Sequence, residues 1–444
     1  MSVRVRIAPS PTGFLHFGTA RTALFNWLFA RKNGGTFIVR IEDTDMARNK
    51  QEYDEDIFEQ LRWLKLEPDE TYRQSEHRQA HADALRALID TGRAYESEEP
   101  AKDDPSKTVR VVRLRNPGKT ITFTDTVHGD ITFDTSELKD FVVARSVTEP
   151  LYHFAVVVDD HDAGITHVIR GEDHISNTPR QILIQEALGY DRPVYAHIPL
   201  ILAPDRSKMS KRKHDTSVRT YREKGYLPEA LINYLALLGW NPGTEQELFS
   251  RDELVRAFSL EGIQKSGAVF DDEKLRWFNR QYLVTEDEET FAATVTHIMK
   301  IGLEKRGVAW DEKRAKQLMP LVRERISVYD DLRSLIADGE FDYFFSRPTY
   351  DPHRIPDKKS TPEDAAAYLA HAAEILSSRK NVADVKEVLW QYATEKGRGA
   401  VLWPLRYSLS GKDKSPDPFV LIEILGADES LSRIAAAREA LKEV

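Results

Sequence analysis

The segment from Val3 to Leu28 constrains the fold more than any other. Val3, Val5 and Ile7 alternate with Arg4 and Arg6, which is the two-residue period of a strand, and Pro9 and Pro11 end it. From Thr19 onward Ala20, Ala23, Leu24, Trp27 and Leu28 recur at helical spacing until Gly34 and Gly35. FIVRI at 37–41 is a second, buried strand, and helices are expected at 54–66 and 76–90. This strand, helix, strand, helix order requires an α/β fold with a Rossmann-type, doubly wound parallel sheet. Between about 107 and 145 the texture changes to short β-rich runs broken by Asn116-Pro117-Gly118 and Gly129-Asp130, an inserted β-rich module. The α/β pattern resumes with ITHVIR at 165–170, a helix at 178–188 closed by Gly189, and YAHIPLIL at 195–202. LYHFAVVVDD at 151–160 is too uniformly apolar to show a period, and from about Pro228 the chain reads mostly helical.

Composition removes several classes of function. There is no cysteine, so a disulfide framework and a thiolate zinc site are both excluded. SVRVRIAPS has no apolar core of a secretion signal and no run is long enough to span a membrane, so a cytoplasmic setting without membrane contact is expected. The net charge of -9 argues against indiscriminate nucleic-acid binding, though a local basic face could still hold an anionic partner.

Two loops at strand ends carry chemistry. A turn leading into a helix near Gly18 aims backbone N–H groups and a positive helix end above the sheet, which suits a phosphate; His16 is either a donor to it or a histidine in a surface turn. DRSKMSKRKH at 205–214 places Lys208, Lys211, Arg212 and Lys213 on one loop, which either closes over a polyphosphate or is a solvated basic loop. The pair at one sheet edge favours the phosphate reading of both. EDTD at 42–45 could be an acidic metal cluster, but no nearby histidine has ligand spacing.

These blocks carry a resemblance. HFGT at 16–19 and KMSKR at 208–212 stand where class I aminoacyl-tRNA synthetases have their HIGH and KMSKS motifs, and RIAPSPTG at 6–13, FIVRIEDTD at 37–45, VIRGEDH at 168–174 and FDDEKLRWFN at 270–279 look like those of the bacterial glutamyl-tRNA synthetases. The resemblance continues more loosely through WPLRYSLSG at 403–411. It implies a catalytic domain in two halves (1–73 and 152–200) around an acceptor-end-binding module (74–151), then a loop and stem-contact domain (201–287) and a helical anticodon-binding domain (288–444). It implies ATP-dependent ligation of L-glutamate to tRNA(Glu) through a glutamyl-adenylate, with Mg²⁺ accompanying ATP, no zinc, and a monomer. Charging of tRNA(Gln) as well or instead is the alternative.

By the same resemblance His16, Lys208 and Lys211 are catalytic, and they bind ATP with Gly18 and Asp173. Arg6, Ser10, Glu42, Tyr152 and Arg170 hold glutamate. Charge agrees, since a carboxylate suits an ammonium group and arginines suit carboxylates, although Arg6 also reads as an ordinary strand residue and Glu42 as an acidic strand end. The chain departs from many family members in lacking a cysteine-bound zinc in the inserted module, and it has Phe17 and Thr19 within the histidine motif. The helical texture after 288 disfavours a glutaminyl enzyme with a β-barrel, the length disfavours a shortened tRNA-modifying relative, and intact His16, Lys208 and Lys211 disfavour a pseudo-synthetase.

Overall fold

The computed structural model describes residues 2–44, 48–100, 104, 106–209, 216–379 and 381–444, in two compact units, 1–282 and 283–444. In the first, β1 (Arg4–Ile7), α1 (Phe17–Lys32), β2 (Thr36–Ile41), α2 (Gln51–Trp63) and β3 (Glu70–Arg73) alternate strand and crossover helix, with β1, β2 and β3 parallel and adjacent in that order. Helix α2 ends three residues before the expected boundary because Lys65 takes a left-handed backbone (φ 56), with its own N–H and that of Leu66 turned back onto Arg62 and Leu61. No glycine marks that stop. A short 3₁₀ turn, Gln74–His77, replaces the expected first turn of α3 (Arg78–Asp90).

The chain then runs through β4 (Ala94–Pro100), β5 (Thr108–Leu114), β6 (Thr120–Asp125), β7 (Gly129–Asp134), β8 (Phe141–Ser146) and β9 (Glu149–Pro150). Strands β4, β5, β8 and β9 make an antiparallel sheet of their own. The polar β3 and β4, TYR and AYESEEP, lack the apolar run that marks a strand and were not expected. The ambiguous 151–160 segment is helix α4 (Tyr152–Asp162), whose residues 154–158 are all buried, so it is apolar on every side and shows no stripe. Next come β10 (His167–Gly171), α5 (Thr178–Leu188), β11 (Val194–Ile198) and β12 (Ile201–Leu202). The single strand expected at 195–202 breaks at Pro199.

Strands β10 and β11 are parallel, and the β6–β7 hairpin joins the far edge of β11. Strand β1 lies beside β10, where Thr166 N–H donates to Arg4 O at 3.0 Å and Arg4 N–H to Thr166 Oγ1 at 2.9 Å. From that junction the chain winds outward to β2 and β3 on one side and to β11 on the other. This is the switch point at which such sheets open a crevice above their carboxyl ends.

The second unit is built of helices from Glu288 to Glu443, the first capped by Asp287 through Thr290 N–H at 2.9 Å. Its interior polar tie is Arg433, which is 1% exposed and donates to the carbonyls of Tyr343, Leu409 and Ser346.

Candidate active site

Above the carboxyl ends of β1, β2 and β10 lies a cleft of about 440 Å³. Arg6 from β1, Arg40 and Glu42 from the end of β2, Tyr152 from the start of α4 and Arg170 from β10 enter it from below; His16, Gly18, Asp173 and Lys208 line its rim.

The floor is an ion network. Arg6 Nε and Nη2 grip Asp160 at 2.9 and 3.1 Å, Arg40 Nη1 bonds the same carboxylate, and Arg40 Nη2 reaches Glu42 at 3.2 Å. Burial opposes ionisation of Asp160, but Arg6 and Arg40 outweigh it and hold its carboxyl down to about 2. At Glu42 burial wins over the same two arginines and raises its carboxyl, a penalty that a cation placed beside it removes. Arg170 is different. It is 6% exposed, and its guanidinium donates to His197 Nε2 at 3.0 Å and Thr178 Oγ1 at 2.8 Å, both neutral acceptors. Among the described residues no carboxylate pairs with it, so burial lowers its affinity for its proton. A buried cation facing a cleft with no counter-ion is a vacancy for an anionic group. Beside it His174 accepts from Tyr152 and Asn177, each at 3.2 Å; burial and then Arg170 push it down to about 4, so it stays neutral.

The rim gathers a helix N-terminus, an imidazole and an ammonium group. His16 is the N-cap of α1, its Nδ1 accepting from Thr19 N–H at 3.3 Å and its Nε2 lying 3.0 Å from Thr19 Oγ1. A Cβ at Gly18 would sit 3.0 Å from His16 Cε1, so glycine makes room for the imidazole as well as baring the helix N–H groups. Opposite, Lys208 Nζ reaches Asp173 Oδ2 at 3.0 Å and, against burial, holds that carboxyl below its usual range. Among the described residues no group of three or more His, Asp or Glu side chains is placed to hold a metal ion.

Family models place this architecture. One described as "tRNA synthetases class I (E and Q), catalytic domain" matches residues 2–103 and 97–277, and one described as "Anticodon binding domain" matches residues 290–438. The chain is 40% identical to glutamate–tRNA ligase 1 of Syntrophomonas wolfei, over 98% of this chain and 96% of that one, and 40% identical to the glutamate–tRNA ligase of Geotalea uraniireducens, over 98% of each. The chain belongs to the glutamate–tRNA ligases. A glutamate tRNA ligase from Elizabethkingia meningosepticum, solved in complex with its amino acid, superposes with a TM-score of 0.87 at 34% identity, covering 99% of this chain and 100% of that one. The names of these relatives give no support to charging of tRNA(Gln).

In this glutamate–tRNA ligase the cleft gathers Arg6, His16, Gly18, Glu42, Tyr152, Arg170, Asp173 and Lys208 from the expected set. Ser10 is exposed on the preceding loop and is not among the residues lining the cleft, and Lys211 lies outside the described residues. Arg6, which also reads from sequence as an ordinary strand residue, has two of its nitrogens already held by Asp160. Sequence reasoning missed Arg40, Asp160 and the acceptors behind Arg170. A signal for the first pair existed: an arginine in the middle of the buried strand FIVRI demands a buried carboxylate, and Asp159-Asp160 is a candidate.

Proposed function

We propose that the cleft activates L-glutamate with ATP and passes it to the 3′ end of tRNA(Glu), in the cytoplasm and as a monomer, with Mg²⁺ entering as the companion of ATP. The observation that carries this reading is Arg170, a buried guanidinium whose acceptors among the described residues are neutral, lining the same cleft as Glu42, whose raised carboxyl favours an ammonium partner. Together they match the opposite charges of an amino acid that has an extra carboxylate.

The chemistry needs no protein nucleophile. A glutamate carboxylate oxygen attacks the α-phosphorus and pyrophosphate leaves; a ribose hydroxyl then attacks the acyl carbon and AMP leaves. The chain contributes position and charge: Arg6, Glu42, Tyr152 and Arg170 fix the amino acid, while His16, the N–H groups at Gly18 and Lys208 meet the phosphates. Lys211 joins Lys208 on the departing pyrophosphate. Asp173 keeps Lys208 at the rim until a triphosphate competes for it.

Glutamate-dependent ATP/pyrophosphate exchange with tRNA(Glu) present tests this directly, and its absence overturns the reading. Lys208→Ala is expected to slow exchange by roughly 100-fold, the scale of one preorganised charge at a transition state, with the KM for glutamate nearly unchanged. A second expectation concerns Gly18→Ala. Its methyl displaces the His16 ring, so the KM for ATP rises severalfold, while Tm holds or rises because alanine is the better helix former. A fall in Tm with an unchanged KM for ATP would place Gly18 in packing alone.

A further inference from the structure

Behind Arg170 lies a chain of hydrogen bonds that reaches the β6–β7 hairpin. Asp125, the last residue of β6, accepts four of them: Oδ1 from the N–H groups of Val127 (2.9 Å) and His128 (3.0 Å), Oδ2 from His197 N–H (3.0 Å) and from His197 Nδ1 (2.7 Å). His197 on β11 is fully buried, and its Nε2 receives Arg170 Nε–H at 3.0 Å, with Thr178 Oγ1 3.2 Å away. The protons on this chain are determined by chemistry. A guanidinium can only donate, so Nε2 carries a lone pair; the ring hydrogen is then on Nδ1 and goes to the Asp125 carboxylate. Strand register between β6 and β11 is confined to Asp125 opposite Tyr195, so the residue that welds the hairpin to the sheet is also the one that sets the imidazole.

We propose that His197 is a positioning residue for Arg170, its Nδ1–H tautomer dictated by Asp125, and that this pair aims the guanidinium at the substrate carboxylate. The proposal rests on the reading that Arg170 receives that carboxylate. Burying a neutral imidazole behind a cation, with its carboxylate one step further away, orients Arg170 without neutralising it. A carboxylate in direct contact would fill the place the substrate needs.

Two amides separate the two ends of the ring. Asparagine at 197 reproduces the Nδ1 side and keeps a donor for Asp125, but leaves Arg170 Nε–H without an acceptor; glutamine extends a carbonyl oxygen to the Nε2 position. His197→Asn is therefore expected to raise the KM for glutamate roughly tenfold, the cost of one charge-assisted hydrogen bond, with the KM for ATP unchanged. His197→Gln is expected to stay within about threefold of wild type, which is the rescue a purely structural role does not give. Equal KM values for glutamate in the two variants, or losses that fall on ATP and glutamate alike, overturn the proposal. Arg170→Met, measured alongside, separates the two readings: if it leaves the KM for glutamate unchanged, the assignment of Arg170 fails, whereas a raised KM there and a normal one in His197→Asn removes His197 alone. Should the asparagine variant not fold, the nitrogen NMR spectrum of histidine-labelled wild-type protein decides. It has to contain a slowly exchanging imidazole protonated on Nδ1 alone at neutral pH, and its absence overturns the proposal.

Discussion

Arg170→Met is expected to lower kcat/KM for glutamate by roughly 10³-fold, the consequence of leaving a substrate carboxylate without its buried cation. Glutamine should lose less, because its amide turns donors toward the guanidinium and gains little from it in the wild type. Sites built on such pairing reject the uncharged analogue by about 10⁴-fold, and that preference is expected to shrink with the arginine gone. The same substitution should raise Tm. Arg170 is a buried charge whose partners among the described residues are a histidine and a threonine, and methionine occupies similar volume without the desolvation cost. The measurements are kcat/KM for both amino acids and a thermal melt. A variant that loses activity but keeps full discrimination places the selecting charge elsewhere, with Arg6 next in line; one that melts earlier shows the arginine to be structural.

Asp160→Asn is expected to act in the opposite sense on stability. Asp160 is the carboxylate shared by Arg6 and Arg40, all three at most 9% exposed along their side chains. Without its charge, two buried guanidiniums are left with Glu42 and a distant Asp159, 4.0 Å from Arg40 Nε. Breaking such a buried arrangement costs about 3–5 kcal/mol, or a drop in Tm of roughly 10 °C for a unit of this size. The pH dependence identifies the cause. The folded carboxyl lies at about 2, below its ordinary 3.8, so its contribution is complete above the ordinary value and is lost as pH falls through the folded one. The Tm values of wild type and variant should therefore converge in acid, between about pH 4 and pH 2. A gap that stays constant over that interval would trace the loss to packing rather than charge.

Much of this arrangement was legible in the sequence, for identifiable reasons. Val3, Val5 and Ile7 alternate with arginines, FIVRI is a continuous run that is buried throughout, and Pro9, Pro11 and Gly189 punctuate the first strand and the Thr178–Leu188 helix, so the order of elements and hence the parallel sheet followed. Strands β3 and β4 escaped because one has polar faces and the other pairs through AYESEEP, where register with β5 rather than composition holds it. Helix α4 escaped because a helix buried on all sides has no stripe. Within the site, rim residues sat in recognisable short motifs, but the partners of the arginines did not. Asp160 is 154 residues from Arg6, His197 is 27 from Arg170, and Asp125 is 72 from His197. Such pairings are set by topology, which no local pattern encodes. Ser10 shows the reverse: it belongs to a conspicuous motif, yet the loop leaves it exposed.

The junction of β1 with β10 also bears on how the protein is made. Thr166 lies 162 residues after Arg4, so during synthesis β1 pairs with β2 long before its other neighbour exists. Throughout that interval Val5 and Ile7 sit on an open strand edge, the kind of surface that recruits other nascent chains. Arg4 and Arg6 alternate with them, and charges at such positions are what keep an edge from pairing with a stranger. The arginine that faces the cleft in the finished enzyme thus guards its strand beforehand, and the crevice cannot form until β10 has been made.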